Sequence, residues 1–162
     1  KSKFYANQSL NEIRYMIGSG NINFSDDFEK MVNEIAQTFE TNFGIKTNVY
    51  TASKKIENLN KKAKTHLIRI LQESLSNISR HSNASQVEIK IIDGIDDFSF
   101  IICDNGQGFD VKEVEQKNKT DSVKHFGLGN IKKRVNIIGG SVDFINKGGL
   151  TIAIKIKDSV YR

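Results

Sequence analysis

The segment from Lys61 to Arg80 has two distinct sides when its residues are placed at helical spacing. At ~100° per residue, one side collects apolar residues: Leu67, Ile68, Leu71, Leu75 and Ile78. The opposite side carries a polar set: Glu73, Asn77, Arg80 and His81. Ile70 is the one large apolar residue that fits neither side. The segment therefore predicts a long helix that packs on a core and presents functional groups on its other face.

Strand-like and helical segments alternate along the rest of the chain. Runs rich in β-branched and apolar residues predict strands: Ile45 to Thr51, Gln86 to Ile92, Asp97 to Cys103, Ser141 to Asn146 and Leu150 to Lys157. Helical spacing predicts one further helix that starts at Ser25-Asp26-Asp27 and is capped by Gly44, and another that Gly127 opens and that runs through Ile138. This order favours an α+β fold, a two-layer α/β sandwich with helices on one face of a mixed, largely antiparallel sheet.

The composition is that of a soluble globular domain. The chain has 162 residues, of which 38% are apolar and 27% charged, and this suits one domain with a substantial core. No run approaches the ~20 apolar residues that cross a bilayer. The single cysteine, Cys103, excludes an internal disulfide and a cysteine-rich zinc site. We expect this domain to be cytoplasmic, whether or not the longer protein is membrane-anchored.

The net charge of +5 is spread over separate basic pairs and triplets. These basic residues are not interleaved with stacking aromatics, as they are in nucleic-acid grooves. We interpret them as solvated surface and expect no direct contact with nucleic acid.

A carboxylate-glycine turn, Asp104-Asn105-Gly106-Gln107-Gly108, follows one of the predicted strands. A carboxylate at a strand end can accept a hydrogen bond from the exocyclic amine of adenine. Gly106 and Gly108 let the backbone pass close to the base. This turn is typical of a site that recognises a nucleobase.

The polar face of the long helix suits the phosphates of ATP. Asn77 can give one oxygen to Mg²⁺, which otherwise keeps water and phosphate ligands. Glu73 can hold a metal-bound water or act as a base, and Arg80 and His81 can meet phosphate oxygens. The set indicates a site for ATP and Mg²⁺ without a P-loop, since the chain has no Gly-x-x-x-x-Gly-Lys-Ser/Thr run.

A second pair of glycines, Gly127 and Gly129, precedes a predicted helix, where free backbone N–H groups bind phosphates. The alternative reading as a Rossmann turn fails because the third glycine is missing. Taken singly, each of these motifs is also compatible with a solvated helix face, a hairpin turn or a helix stop. Their order and placement together favour a nucleotide site.

These motifs resemble those of the GHKL ATPases, a superfamily that includes gyrase, sensor histidine kinases and mismatch-repair ATPases. Glu73-x-x-x-Asn77-x-x-Arg80-His81 is similar to the asparagine box, and the turn at Asp104 is similar to the first glycine box. The stretch from Gly127 to Gly140 resembles the second glycine box of sensor histidine kinases. Within those kinases, it is similar to the subfamily that pairs with LuxR-type response regulators.

The resemblance implies a Bergerat-type sandwich that binds Mg-ATP under a lid at residues 110–126. It implies a catalytic role for Glu73 and a metal-binding role for Asn77. Nucleotide contacts would come from the matching positions: Asn77, Arg80, His81, Asp104, Gly106, Gly108, Gly127, Leu128, Gly129 and Thr151.

The resemblance also implies a place in two-component signalling. The enzyme would be a protein histidine kinase whose γ-phosphoryl group passes to a histidine of the adjoining helical domain, then to an aspartate of a response regulator. The full-length protein would be a homodimer. Residues 1–20 resemble the end of the second helix of the dimerisation and phosphotransfer domain plus a linker, and residues 21–162 resemble the ATP-binding domain.

Two departures from the family pattern keep an alternative open. Leu150 stands where the third glycine box, Gly-x-Gly-Thr, has its second glycine, and none of the three histidines lies in a phosphoacceptor context. The alternative is a non-catalytic ATP-binding regulatory module, either a degenerate kinase or an anti-sigma-like partner-binding domain. A nucleic-acid binder, suggested only by the pI of about 9.2, is a third and weaker hypothesis.

Overall fold

The computed structural model describes residues 27–108 and 126–160 of the chain. The expected domain end at residues 1–20 and the expected lid, apart from Phe126, lie outside these ranges. Among the described helices, none has the length and apolar character needed to cross a membrane.

Helices and strands alternate in the order expected from the sequence. The α-helices are α1 (Phe28–Phe43), α2 (Lys61–Asn77) and α3 (Phe126–Ile137). The strands are β1 (Lys46–Ala52), β2 (Gln86–Asp93), β3 (Asp97–Asp104), β4 (Ser141–Asn146) and β5 (Leu150–Lys157). Short 3₁₀ turns, which the sequence analysis did not predict, lie at Lys55–Asn58 and Asp158–Val160.

The strands form one mixed sheet in the order β1-β2-β3-β5-β4. β1 and β2 pair in parallel, and the other neighbours are antiparallel. This arrangement confirms the predicted α+β fold with a largely antiparallel sheet. β3 is the central strand, so its last residue, Asp104, lies between the ends of β2 and β5.

One face of the sheet carries the core. Alternate residues of the three central strands are buried, because successive side chains of a strand point to opposite faces: Val87, Ile89, Ile91, Phe98, Phe100, Ile102, Ile152, Ile154 and Ile156. The helices add their apolar sides to the same cluster, including Phe28 and Phe39 of α1. Ile70, which fitted neither side of the predicted helix, is fully buried as well.

The long helix ends earlier than predicted. Its α-helical part stops at Asn77, and the residues Ile78–Ser82 form a wider π-helical turn. Asn83 then leaves the turn in a left-handed conformation with φ of 56°. Since a π turn has an i→i+5 spacing, Arg80 and His81 do not continue the stripe of Glu73 and Asn77 as an unbroken α-helix would have placed them.

The turn between β4 and β5 packs against the end of the central strand. Gly149 has φ of +125°, and a Cβ at this position would overlap the backbone carbonyl of Asp104. Gly148 also has a positive φ, of +63°, but a Cβ there would have no atom within 4 Å. Gly149 is therefore the residue of this turn that must lack a side chain.

We predict that Gly149→Ala lowers the free energy of unfolding by about 2–4 kcal/mol, because strain and overlap with a backbone atom add. Gly148→Ala, the matched control, should lower it by about 1 kcal/mol, from backbone strain alone. Equilibrium unfolding in urea measures both. Equal losses in the two variants would contradict the close approach of Gly149 to Asp104.

Candidate functional site

A small pocket opens between α2, the π-helical turn and the ends of β3 and β5. Apolar and polar side chains line it: Ser74, Asn77, Ile78, Ser82, Ile102, Asp104, Leu150 and Ile152. The asparagine of the helix motif and the aspartate of the strand motif thus face one shared space. A ligand in this space would contact both groups.

Asp104 is a buried carboxylate, with only 3% of its surface exposed. Its Oδ1 accepts a hydrogen bond of 2.8 Å from the backbone N–H of Gly106. Burial raises the pKa of Asp104 above its usual range, and the backbone N–H groups of Gly106 and Leu150 partly oppose that rise by stabilising the anion. A buried acceptor of this kind suits a ligand that brings its own N–H donor.

The first turn of α3 packs against the polar face of α2. A Cβ on Gly127 would lie 2.7 Å from Nδ2 and 3.0 Å from Oδ1 of Asn77, and 3.1 Å from Oε1 of Glu73. A side chain at position 127 would therefore crowd Asn77 and Glu73, and glycine leaves these two side chains in place. The structure thus brings Gly127 to Glu73 and Asn77, although it belongs to a different sequence motif.

Hydrogen bonds tie the first glycine box to the π-helical turn. The backbone N–H of Gln107 donates to the carbonyl of Ser82 at 2.8 Å, and its side-chain amide donates to the carbonyl of His81 at 2.8 Å. The side chains of Arg80 and His81 themselves are exposed. These two predicted phosphate ligands are close in sequence to the pocket residues Ile78 and Ser82, but they do not line the pocket themselves.

Other predicted site residues divide between the pocket and its surroundings. The backbone N–H of Gly106 donates to the carboxylate of Asp104. Gly108 has a positive φ of +63° and is the last residue of the described range 27–108. Leu128 is 7% exposed, and its side chain belongs to the hydrophobic core. Gly129 follows it in the first turn of α3, where a Cβ would have no atom within 4 Å.

Thr151 does not line the pocket. Its hydroxyl donates to Sγ of Cys103 at 3.1 Å, and the two residues are register partners across β3 and β5. They face away from the core, and Leu150 and Ile152 occupy the pocket side instead. The apolar alternation of Leu150, Ile152, Ile154 and Ile156 in the sequence is the signal that would have predicted this orientation.

Comparison with known proteins agrees with the geometry. Residues 62–160 match the family described as histidine kinase-, DNA gyrase B- and HSP90-like ATPases. The match covers more than half of the chain and includes every pocket-lining residue. The chain belongs to this ATPase family. The resemblance stated from the sequence motifs is thereby confirmed, and ATP is the ligand that the family assignment supports.

Curated relatives of the chain are bacterial histidine kinases. The chain is 37% identical over 91 residues to the signal transduction histidine-protein kinase/phosphatase DegS of Bacillus subtilis, which is 56% of this chain and 23% of DegS. It is 32% identical over 103 residues to the sensor histidine kinase LiaS of Bacillus subtilis, which is 64% of this chain and 27% of LiaS. The chain thus spans about a quarter of the length of these relatives.

Solved structures show the same fold at low sequence identity. The histidine kinase domain of the blue-light activated kinase of Erythrobacter litoralis EL346 has a TM-score of 0.63 and 15% identity, covering 96% of this chain and 75% of that one. The Acinetobacter baumannii histidine kinase AdeS has a TM-score of 0.61 and 14% identity, covering 94% and 75%. These likenesses establish the fold alone.

We predict that Gly127→Ala weakens binding of ATP with Mg²⁺ and leaves the fold stable. The added methyl group would displace the movable ends of Asn77 and Glu73, whereas alanine improves helix propensity by about 1 kcal/mol. Gly129→Ala makes the same change in the same turn without meeting an atom within 4 Å, so it should cost much less affinity. Calorimetric titration measures the affinities, and equal effects of the two changes would refute the role of Gly127.

We predict that Asp104→Asn weakens ATP binding on the order of tenfold while making the fold more stable at neutral pH. A carboxyl group with a raised folded-state pKa favours the protonated form in the native state, so its charge lowers stability above that pKa. The stability gain of the variant should therefore shrink as pH falls towards about 4. Urea titrations at pH 7 and pH 4 test this, and a destabilised variant at pH 7 would contradict it.

Proposed function

We propose that this chain is the ATP-binding catalytic part of a sensor histidine kinase and donates the γ-phosphoryl group of ATP to a histidine outside this sequence. The observation that carries the proposal is that Asn77 and Asp104 line one and the same pocket. Recognition of adenine and of a metal-bound triphosphate in one molecule requires these two groups to share a cleft. The relatives named above, which are histidine kinases, support the same activity.

Asp104 binds the adenine in this proposal. Its buried carboxylate accepts a hydrogen bond from the exocyclic amine, and the apolar walls contributed by Ile78, Ile102 and Ile152 contact the faces of the ring. Guanine presents a carbonyl oxygen at the position of that amine. Because two acceptors repel each other, GTP should bind more weakly than ATP.

Asn77 and Glu73 suit a magnesium ion that is shared with the phosphates. Among the described residues, no three His, Cys, Asp or Glu side chains cluster as a metal site. Mg²⁺ does not need such a cluster, since it keeps water and phosphate oxygens as ligands. The side-chain oxygen of Asn77 would hold the ion, which neutralises phosphate charge. Glu73 would hold a metal-bound water or act as a base.

The phosphates meet backbone and cationic groups. Because α3 begins at Phe126, the N–H groups of Gly127 and Leu128 have no acceptor within the helix and can bind phosphate oxygens. Gly129 follows them in the same turn. The exposed side chains of Arg80 and His81 can meet phosphate oxygens at the edge of the site. Catalysis then rests on positioning and charge neutralisation rather than on a covalent intermediate.

The remaining parts of the proposal concern the whole protein. Residues 1–20 would end the dimerisation and phosphotransfer domain, residues 21–162 would form the ATP-binding domain, and residues 110–126 would close over the nucleotide. The protein would act in the cytoplasm as a homodimer and pass its phosphoryl group to an aspartate of a LuxR-type response regulator. It would not contact nucleic acid directly.

The alternative function is an ATP-binding regulatory module without phosphoryl transfer. Leu150 favours it, because this pocket residue beside Asp104 departs from the family pattern, which has a glycine at its place. Such a module would bind ATP and a partner protein but would label no histidine.

The test uses the full-length protein with γ-labelled ATP and Mg²⁺. We predict labelling of a histidine upstream of this sequence, and a fall of at least about 100-fold in Asn77→Ala because the metal ligand is lost. Asn136→Ala is the matched control, since Asn136 is an exposed helical asparagine outside the pocket. It should label normally.

The possible outcomes separate the two functions. Nucleotide binding without any labelled histidine would refute the kinase and support the regulatory module. Failure to bind ATP in the presence of Mg²⁺ would refute both.

A further inference from the structure

Leu150 lies directly across from Asp104. The last register pair between β3 and β5 is Cys103 with Thr151, so one further step along the antiparallel strands brings Asp104 opposite Leu150. Both residues are buried, at 3% and 4% exposure, and both line the pocket. Leu150 is therefore the side chain that borders a base held by Asp104.

The serine hydroxyl groups that line the pocket already donate hydrogen bonds to backbone carbonyls. Ser74 donates to the carbonyl of Ile70 at 2.8 Å, and Ser82 donates to the carbonyl of Ile78 at 3.0 Å. A serine hydroxyl has one proton to donate. Neither serine can therefore donate to a ring nitrogen of adenine while these bonds last.

The other candidate donors are directed elsewhere. The hydroxyl of Thr151 is bound to Cys103 on the opposite face of the sheet. The amide of Asn77 lies against Gly127 and Glu73, where the proposed function places the metal and phosphates. Of the side chains described at the pocket, none is left to donate to the nitrogen N1, which lies next to the exocyclic amine of adenine.

We propose that Leu150 is a specificity-determining residue that restricts recognition of the base to its exocyclic amine. This inference rests on the proposed function, because it concerns the adenine end of the same site. The pocket selects nucleotides that carry a 6-amine and does not distinguish a nitrogen from a C–H group at ring position 1. The apolar side chain of Leu150 contacts ring position 1 without donating a hydrogen bond to it.

The physical basis is the asymmetry of polar recognition. A site that donates a hydrogen bond to a ligand atom strongly rejects an analogue that lacks the atom, whereas an apolar wall discriminates weakly. A ring nitrogen that is buried without a donor also loses its bond to water. 1-Deaza-ATP, which keeps the amine and has C–H at position 1, should therefore bind at least as well as ATP.

The experiment compares equilibrium binding of ATP, 1-deaza-ATP and inosine triphosphate, each with Mg²⁺. For the natural chain we expect ATP and 1-deaza-ATP to bind within about twofold of each other. Inosine triphosphate, which has an oxygen in place of the amine, should bind at least about tenfold more weakly.

Two substitutions of the same shape isolate the hydroxyl group. Leu150→Thr introduces a donor beside position 1 and should shift the preference towards ATP over 1-deaza-ATP by about tenfold, the effect of one hydrogen bond. Leu150→Val matches threonine in shape and lacks the donor, so its preference should equal that of the natural chain. Any loss of affinity from the smaller side chain is common to both variants.

Each outcome decides the inference. A natural chain that prefers ATP over 1-deaza-ATP by more than about twofold would overturn it and leave the proposed function intact. Identical preferences in the threonine and valine variants would also overturn it. Absence of binding to every adenine nucleotide would instead refute the proposed function, and the inference with it.

Discussion

The site depends on one buried carboxylate at the end of the central strand. Asp104 is held by the backbone N–H groups of Gly106 and Leu150, and burial keeps its pKa above the usual range. A charge in such a place lowers the stability of the empty domain, because water solvates it better than the pocket does. A ligand that donates a hydrogen bond to Asp104 reduces this cost. In the proposed function, binding and specificity therefore share one origin, the poor solvation of a single acceptor.

The surrounding structure brings the other motifs to this carboxylate by close backbone packing. Gly149 lets the β4–β5 turn pass against the carbonyl of Asp104, and Gly127 lets the first turn of α3 lie on Asn77 and Glu73. The π-helical turn follows the long helix, and its backbone carbonyls accept two hydrogen bonds from Gln107 of the first glycine box. Residues from distant parts of the chain thus form one site because small residues stand at the points of contact.

Local patterns predicted much of the fold and part of the site. The strands appeared in the sequence as alternating apolar residues, and β4 and β5 have the predicted bounds. Asp104 and Asn77 could be predicted as candidate site residues because carboxylate-glycine and helical carboxylate-amide patterns are short-range, and both residues line one pocket. The motif alone predicts Thr151 at the adenine region, whereas the apolar alternation that begins at Leu150 places Thr151 on the other face of its strand. A shift of one residue in a strand reverses the face of every side chain, and the structure has Leu150 rather than Thr151 in the pocket lining.

By itself, the sequence determined the order of the helices and strands, the apolar face of each and the residue types of the candidate nucleotide site. These properties follow from the 3.6- and 2-residue periods and from side-chain chemistry, which need only near neighbours. The tertiary structure alone decided that the helix changes to a π turn after Asn77, that Leu150 rather than Thr151 faces Asp104, and that the carboxylate is buried. These features depend on strand register and on packing between segments far apart in the chain. The carboxylate of Asp104 loses its water only when those segments pack together.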